Sequence, residues 1–411
     1  MRTRNVESPA SYSRGLILSG PEAEARKAIH GRELIKRRIL NLGNSSIFNL
    51  TGLVRAFPLH KDDLVKLDNQ FTFYTNFLGR AEELALKLTG ANSDHHSAVM
   101  CNRVTSAMLA IMLATLDPGD TVISLVANGR SHPSVQQAVE LNGAVFNEIQ
   151  DAQSLDQSLM NNSCKMLVIT PLTPSKYHIP AVDVRRAIAL AKDRGILVFV
   201  DDAHMMSRSI FYEEPVTFEI GDVDISVWSL DKHVPGPRGA AIVGKKPLMD
   251  KISTQVFQFG LEAQSGHYVA MLRGIEGFDR KPIIQAGSLA RDLFRRFKLK
   301  FGSRVYQAGP GVAFSAEDFA ELVMDRSKQK ETQLADSEIA ITGSFLLLER
   351  YGAITIPITG YPGAAPTFRL MMHPDGARFG LDKLEGAVEE TIDLTSRLIQ
   401  NPDKVKKLLL G

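Results

Sequence analysis

The sequence predicts an α/β fold: a large domain on a mainly parallel sheet, followed by a smaller α+β C-terminal domain. Three observations carry this expectation. Short apolar runs at Thr121–Leu125, Lys165–Thr170, Ile196–Val200, Ile225–Leu230 and Ala240–Val243 alternate with helical segments. Strands without a polar face belong in a sheet covered on both sides, and crossover helices supply that cover. The length, 411 residues, exceeds what one core usually serves, so two domains are expected. Beyond about residue 280 the pattern changes to long helices with two late strands.

Each element has a local reason. Residues 1–45 read as an N-terminal arm and helix: Met1–Gly20 is polar, with Arg2, Arg4 and Arg14, and Pro21–Leu40 has helical spacing and abundant charge. Asn49-Leu50-Thr51-Gly52 reads as a turn. Arg80–Leu88 is helical, opened after Gly79 and closed by Thr89-Gly90. Thr105–Leu116 is a mostly apolar helix closed by Asp117-Pro118-Gly119-Asp120. His132–Leu141 is a helix ended by Asn142-Gly143, and Ala181–Arg194 is amphipathic with Gly195 as its C-terminal stop. Together with the strands these define a large domain at 46–285. The smaller domain, 286–411, has helices at Ile284–Leu299 and Glu331–Arg350, strands at Ala353–Ile358 and Thr367–Met372, and a final helix from Leu381 to Ile399.

Composition narrows the function classes. Apolar content of 44% and charge of 23% are globular values. The 48 basic and 46 acidic side chains leave a net charge of +2, not the surplus of a nucleic-acid protein. The basic run Arg295–Lys300 reads as a solvated helix face. Two cysteines, Cys101 and Cys164, exclude a disulfide scaffold and a cysteine zinc site, and suit a reducing, cytoplasmic compartment. No apolar stretch reaches the roughly 20 residues of a membrane span, and the N-terminus lacks a secretory core. Neither a metal nor a nucleic-acid or membrane partner is expected.

The chemistry concentrates at two strand ends. Ile196–Val200 runs into Asp201-Asp202-Ala203-His204, and Ile225–Leu230 runs into Asp231-Lys232. Ligands of a parallel sheet bind beyond the strands' carboxyl ends. An acid and a histidine on one strand, with a lysine on the next, form the set that pyridoxal phosphate (PLP) needs. Lys232 joins the cofactor aldehyde, and the acid keeps the pyridine nitrogen protonated so that the ring acts as an electron sink. Burial beside a cationic ring would lower the lysine pKa as this requires. A lysine after a strand is commonly structural; Asp201, His204 and the following Gly236-Pro237-Arg238-Gly239 turn the reading toward chemistry.

Asp201 and Asp202 are adjacent, so on an extended strand they point in opposite directions. Asp201 is assigned to the cofactor, with His204 toward its phenolic oxygen. The bland alternatives are a carboxylate pair capping a turn, or a metal site short of ligands. For the phosphate, the helix start at Asn102-Arg103-Val104-Thr105-Ser106 offers backbone N–H groups, with Arg103, Thr105 and Ser106 adding side-chain donors. Ser229 is a further hydroxyl candidate. His132, at a helix start, can stack on the pyridine ring and help move a proton, or serve only the helix. Ser175, in Pro171-Leu172-Thr173-Pro174-Ser175-Lys176-Tyr177, also lines the expected pocket. Arg369 lies in an apolar run and fits a substrate carboxylate, against the alternative of an internal salt bridge.

On these motifs the chain resembles the fold type I PLP enzymes, which are aspartate aminotransferase-like, between serine hydroxymethyltransferases and the bacterial selenocysteine synthase group. Lys232-His233-Val234-Pro235-Gly236-Pro237-Arg238-Gly239 is similar to the hydroxymethyltransferase Lys-x-x-x-Gly-Pro-Arg-Gly. Asp201-Asp202-Ala203-His204 is similar to its Asp-x-Ala-His, and Ser175-Lys176-Tyr177 to a Ser-x-Tyr that contacts its cofactor. Asp231-Lys232 with Ala240-Ala241-Ile242-Val243-Gly244-Lys245-Lys246 resembles the selenocysteine synthase pattern, as do Asn49-Leu50-Thr51-Gly52 and Leu88-Thr89-Gly90-Ala91. The resemblance covers about residues 45–400. It implies a seven-stranded, mainly parallel sheet and a homodimer with sites at the interface. It also implies the ring-stacking role of His132 and the carboxylate role of Arg369.

The departures bear on the reaction. Leu230-Asp231 stands where hydroxymethyltransferases carry Thr-His, their N-terminal Tyr-x-Glu-Gly is not found, and their Gly-Gly-Pro is replaced around Gly260–Gly266. These speak against folate-dependent hydroxymethyl transfer, and the small net charge speaks against a tRNA substrate. The expectation is therefore a PLP-dependent lyase or transferase acting on an amino acid. It breaks Cα–Cβ in a retro-aldol manner, or eliminates or replaces a β-substituent, with Lys232 as proton shuttle. One alternative is acyl condensation of the α-oxoamine synthase type, whose usual glycine-rich stretch is missing from Met205–Ile210, or transamination. The alternative of another class is a PLP-binding regulator without turnover, for which no DNA-binding segment is visible.

Overall fold

The computed structural model describes residues 15–150, 154–161, 163–329, 331–360 and 366–411. Arg2, Arg4 and Arg14 of the expected arm lie outside the described residues. The chain forms two compact units. One is Leu53–Arg280; the other joins residues up to Gly52 with Lys281–Gly411.

The first unit is built on seven strands. They are β1 (His96–Cys101), β2 (Thr121–Leu125), β3 (Val145–Ile149), β4 (Cys164–Ile169), β5 (Leu197–Asp201), β6 (Ile225–Ser229) and β7 (Ala240–Lys245). Their order is β1-β7-β6-β5-β4-β2-β3. The run from β3 to β6 is parallel, while β7 is antiparallel to both of its neighbours. The helices that matter for the site are α1 (Val104–Thr115), α2 (Pro133–Leu141), α3 (Ala181–Lys192), α4 (Met205–Phe211) and α5 (Lys246–Gln258).

Alternation along the strands sorts their side chains onto two buried faces. Val122, Val168, Phe199, Ile225 and Val227 form one core with Ala107, Met108 and Ile111 of α1, Val135 and Val139 of α2, and Ile252 of α5. Ile123, Leu125, Leu167, Ile169, Val198 and Val200 form the other with Val184, Ala187 and Ile188 of α3. This double burial is the physical reason why the strands read as continuous apolar runs. It also locks the register: a slip by one residue would move every core side chain to the wrong face, at ~1.5–3 kcal/mol for each large one. Asp201 shares parity with Phe199, so the same lock holds its carboxylate on the α1 and α2 face.

In the second unit the helix Pro21–Leu42 packs on the helices Asp336–Tyr351, Ile356–Thr359 and Pro402–Leu410. The helix expected at Pro21–Leu40 thus folds with the C-terminal part. Three antiparallel strands, β8 (Tyr306–Gln307), β9 (Gly311–Phe314) and β10 (Phe368–Met371), lie over a core that includes Phe314, Phe319, Phe345 and Phe368. The expected strand Ala353–Ile358 stops at Ile354, because Ile356–Thr359 makes a helical turn with Pro357 near its start. Proline fits a first helical turn and has no N–H for a ladder. The expected helix Glu331–Arg350 begins at Asp336. There the buried Glu338 carboxylate accepts from the N–H of Ala335 (3.1 Å), Ile17 (2.6 Å) and Leu18 (2.8 Å). One side chain thus caps the helix and pins Ile17-Leu18 against it. Among the described residues no helix is long and apolar enough to cross a membrane.

Candidate active site

Lys232 sits in the loop between β6 and β7, and backbone contacts fix that loop. The Leu230 N–H donates to the Gly239 carbonyl at 3.0 Å. A Cβ on Gly236 would lie 2.7 Å from the Leu230 carbonyl oxygen, and one on Gly239 would lie 2.0 Å from Met271 Sδ. Gly274 abuts the same loop, since its Cβ would meet Gly236 Cα at 2.7 Å. The glycines read as a motif are therefore places where no side chain fits. Leu53 bridges Lys232, and the Val54 N–H donates to the Asp231 carbonyl at 2.8 Å.

Asp231, next to the lysine, accepts from Ser229 Oγ at 2.8 Å and from Arg55 Nε at 3.3 Å. A hydroxyl has one proton, and that of Ser229 goes to Asp231.

The two aspartates at the end of β5 separate as alternation requires. Asp202 is 1% exposed. Arg208 of α4 grips it at both oxygens, with Nε–Oδ1 at 3.1 Å and Nη2–Oδ2 at 2.6 Å, and Thr217 Oγ1 donates to Oδ2 at 2.8 Å. Arg208 also reaches Glu214, which contacts His178, itself stacked on Tyr212. Asp202 is thereby committed to holding the fold.

Among the described residues Asp201 has no such ion pair. Its Oδ1 accepts from the Ala203 N–H at 3.3 Å. Burial pushes its carboxyl up to about 6, and the Lys232 charge opposes the shift. Lys232 acts on His132 as well: burial first, then Lys232 and Arg103, push that imidazole down to about 4. His132 is the N-cap of α2, and its Nδ1 accepts from the Ser134 N–H at 3.2 Å. A neutral ring that accepts at Nδ1 carries its proton on Nε2. Lys232, Asp201, His132 and Arg103 thus lie within electrostatic reach of one another at the carboxyl end of the sheet.

Helix α1 begins after Arg103, whose backbone is extended, and no side chain caps its first amides. Val104, Thr105 and Ser106 are its first residues. The Ser106 hydroxyl donates to Asn102 Oδ1 at 2.6 Å. The amides and Arg103 are therefore better placed for an anion than that hydroxyl.

His204 reveals a residue that the sequence reading passed over. Lys176 is 3% exposed, and its Nζ lies 2.6 Å from Nδ1 and 3.1 Å from Nε2 of His204. Lys176 sits between Ser175 and Tyr177 in a turn held by the Tyr177 N–H on Thr173 Oγ1 at 3.0 Å. Its φ of 73° is left-handed, a conformation that composition does not betray.

Arg369 belongs to the second unit, on β10, where it is 4% exposed. Burial pushes its pKa down to about 10, and Tyr306 opposes this. Residues 367, 369 and 371 point away from the core formed by Phe368 and Leu370.

The donor set fits PLP: a buried carboxylate without a resident cation, an amine on the next loop, a neutral imidazole, and an uncapped helix start beside an arginine.

Comparison with known proteins agrees. Residues 50–266 match the aminotransferase class I and II family, and residues 302–379 match the UPF0425 C-terminal domain. A UPF0425 pyridoxal phosphate-dependent protein of Methanothermobacter thermautotrophicus is 31% identical over 402 residues, covering 96% of this chain and 100% of that relative. Serine hydroxymethyltransferase of Paracidovorax citrulli is 25% identical over 258 residues, 60% of this chain and 55% of that enzyme. The crystal structure of ureidoglycine-glyoxylate aminotransferase from Bacillus subtilis superposes with a TM-score of 0.59 at 13% identity, covering 88% of this chain and 96% of that one. At that identity the likeness concerns the fold, which is that of fold type I PLP enzymes.

Proposed function

Because the chain belongs to the UPF0425 family of pyridoxal phosphate-dependent proteins, we propose that it is an amino-acid lyase or transferase. It breaks Cα–Cβ of its substrate or eliminates or replaces a β-substituent. The observation that carries this reading is that Asp201, at the end of β5, and Lys232, on the loop after β6, meet at the carboxyl end of the sheet while Asp202 alone is tied to Arg208. When bound, PLP supplies an electron sink for a bond broken at the α-carbon.

The residues divide the remaining work. Asp201 would hold the pyridine nitrogen protonated, its carboxyl being ionised when it faces a cation. Lys232 anchors the cofactor and, once released, moves the proton at the α-carbon. His132, neutral, covers the ring and is free to accept that proton. His204, with the Lys176 amine against its ring, donates toward the phenolic oxygen, and Ser175 lines the same turn as Lys176. The first amides of α1, at Val104, Thr105 and Ser106, take the phosphate together with Arg103. Arg369 takes the substrate carboxylate. The protein works as a homodimer, which the exposed Leu64, Val65 and Phe71 support.

Product analysis tests the reaction. The PLP-loaded protein, given β-hydroxy and β-substituted amino acids, is expected to release glycine with an aldehyde, or ammonia with a 2-oxo acid. Stoichiometric amino transfer to an added 2-oxo acid, without cleavage, would overturn the lyase reading in favour of transamination.

A further inference from the structure

We propose that Arg55 is an anion-binding residue of this site, and that the substrate amino acid carries an anionic side chain: a carboxylate, sulfonate or phosphate. The argument begins with position. Arg55 ends the segment Leu53-Val54-Arg55, which is laced to the lysine loop by the Leu53–Lys232 bridge and by the Val54 N–H on the Asp231 carbonyl. Its backbone therefore runs alongside the loop that carries Lys232, and its guanidinium meets the residue before that lysine.

Conformation comes second. Arg55 has a φ of 55°, in the left-handed region that long side chains rarely enter. Such a backbone is strained for a long side chain and persists where the surroundings impose it, characteristically at ligand-holding sites.

Third is the state of the guanidinium. Its Nε donates to Asp231 Oδ2 at 3.3 Å, and the Asp231 side chain is 9% exposed against 25% for Arg55. Ser229 holds the other Asp231 oxygen. An arginine–carboxylate pair is often bidentate; here a single nitrogen is engaged. Among the described residues neither Nη1 nor Nη2 has a partner. The outer edge of the fork is thus open to solvent while its inner edge is anchored. A guanidinium oriented beforehand gives up little freedom when an oxyanion arrives. The proposed function gives the α-carboxylate to Arg369, and this inference rests on that reading. The anion left for Arg55 is then a second one, on the side chain.

The test uses the PLP-loaded protein and follows its visible spectrum during titration with matched amino acids: aspartate against asparagine, and phosphoserine and cysteate against serine. The wild type is expected to bind the anionic member about tenfold tighter, in keeping with charge-assisted hydrogen bonds. Arg55→Gln should bring each ratio near unity, with asparagine and PLP affinities unchanged; Arg55→Lys should keep part of the preference. The ranking of aspartate, cysteate and phosphoserine identifies the anion. Three outcomes overturn the proposal: equal wild-type affinities within each pair, equal weakening of both members in Arg55→Gln, which would put the α-carboxylate there, or loss of PLP itself. If wild-type protein shows no PLP-dependent band at all, the enzyme reading fails and takes this proposal with it. A band that shifts with amino acids irrespective of Arg55 sinks the proposal alone.

Discussion

At the scale of residues, two adjacent carboxylates have opposite duties, and substitution should separate them. Asp202 is half of a buried ion pair with Arg208. Asp202→Asn leaves that guanidinium with Glu214 at 3.2 Å as its remaining carboxylate, so a loss of about 2–3 kcal/mol in unfolding free energy is expected, short of the cost of a wholly unpaired buried charge. Equilibrium denaturation measures it; an unchanged midpoint would show that the pair contributes nothing. Asp201 behaves differently in the cofactor-free protein. Burial raises its carboxyl from the ordinary 3.8 to about 6, so the folded state holds the proton more tightly than the unfolded state. The stability this gives is complete below the unfolded pKa and is lost as pH rises through about 6. The loss amounts to ~3 kcal/mol. Asp201→Asn removes the ionisation, so its stability advantage over cofactor-free wild type should grow between pH 4 and 7. Parallel stability curves would contradict this. The same substitution should cut turnover by orders of magnitude, since an amide cannot keep the ring nitrogen protonated.

At the scale of elements, the lysine loop is shaped by what cannot fit. Gly236→Ala would drive a methyl group against the Leu230 carbonyl, displacing Lys232. The expected result is a folded protein, normal by circular dichroism, that no longer retains PLP. Gly386→Ala is the contrast: it lies inside the helix Leu381–Leu398 with nothing within 4 Å of the new methyl. Helix propensity then predicts a gain of about 0.5–1 kcal/mol. Retention of PLP by Gly236→Ala would show that the loop adapts.

The elements also mark how far the sequence could be read. The apolar runs, the acid-histidine strand end and the glycines around Lys232 were visible because each is a local signal. Alternation even separated Asp201 from Asp202. Arg208, Lys176 and Arg55 were not visible, since their partners lie across turns or far along the chain and no spacing announces them. The engaged proton of Ser229 and the docking of Pro21–Leu42 on C-terminal helices were hidden for the same reason. Ile356-Pro357-Ile358 was read as the end of the strand Ala353–Ile358 because its apolar residues fit either period; only Pro357 argued otherwise.

At the scale of the whole molecule, the helices Lys61–Lys66 and Gln70–Asn76 leave Leu64, Val65 and Phe71 at 64%, 76% and 80% exposure. Apolar surface of this kind favours association. The wild type should sediment as a dimer, and Val65→Glu combined with Phe71→Glu should shift it toward monomer. A monomeric wild type at micromolar concentration would remove the homodimer from the account.

The central claim is that Lys232 is the amine that holds PLP. Its most direct test is the visible absorbance of purified wild type and Lys232→Ala after saturation with PLP and dialysis, followed by borohydride and peptide mapping. The account predicts a visible band in wild type alone, with the reduced cofactor fixed to the peptide that contains residue 232. A band of equal strength in Lys232→Ala, with the cofactor fixed at Lys176 or elsewhere, would contradict it.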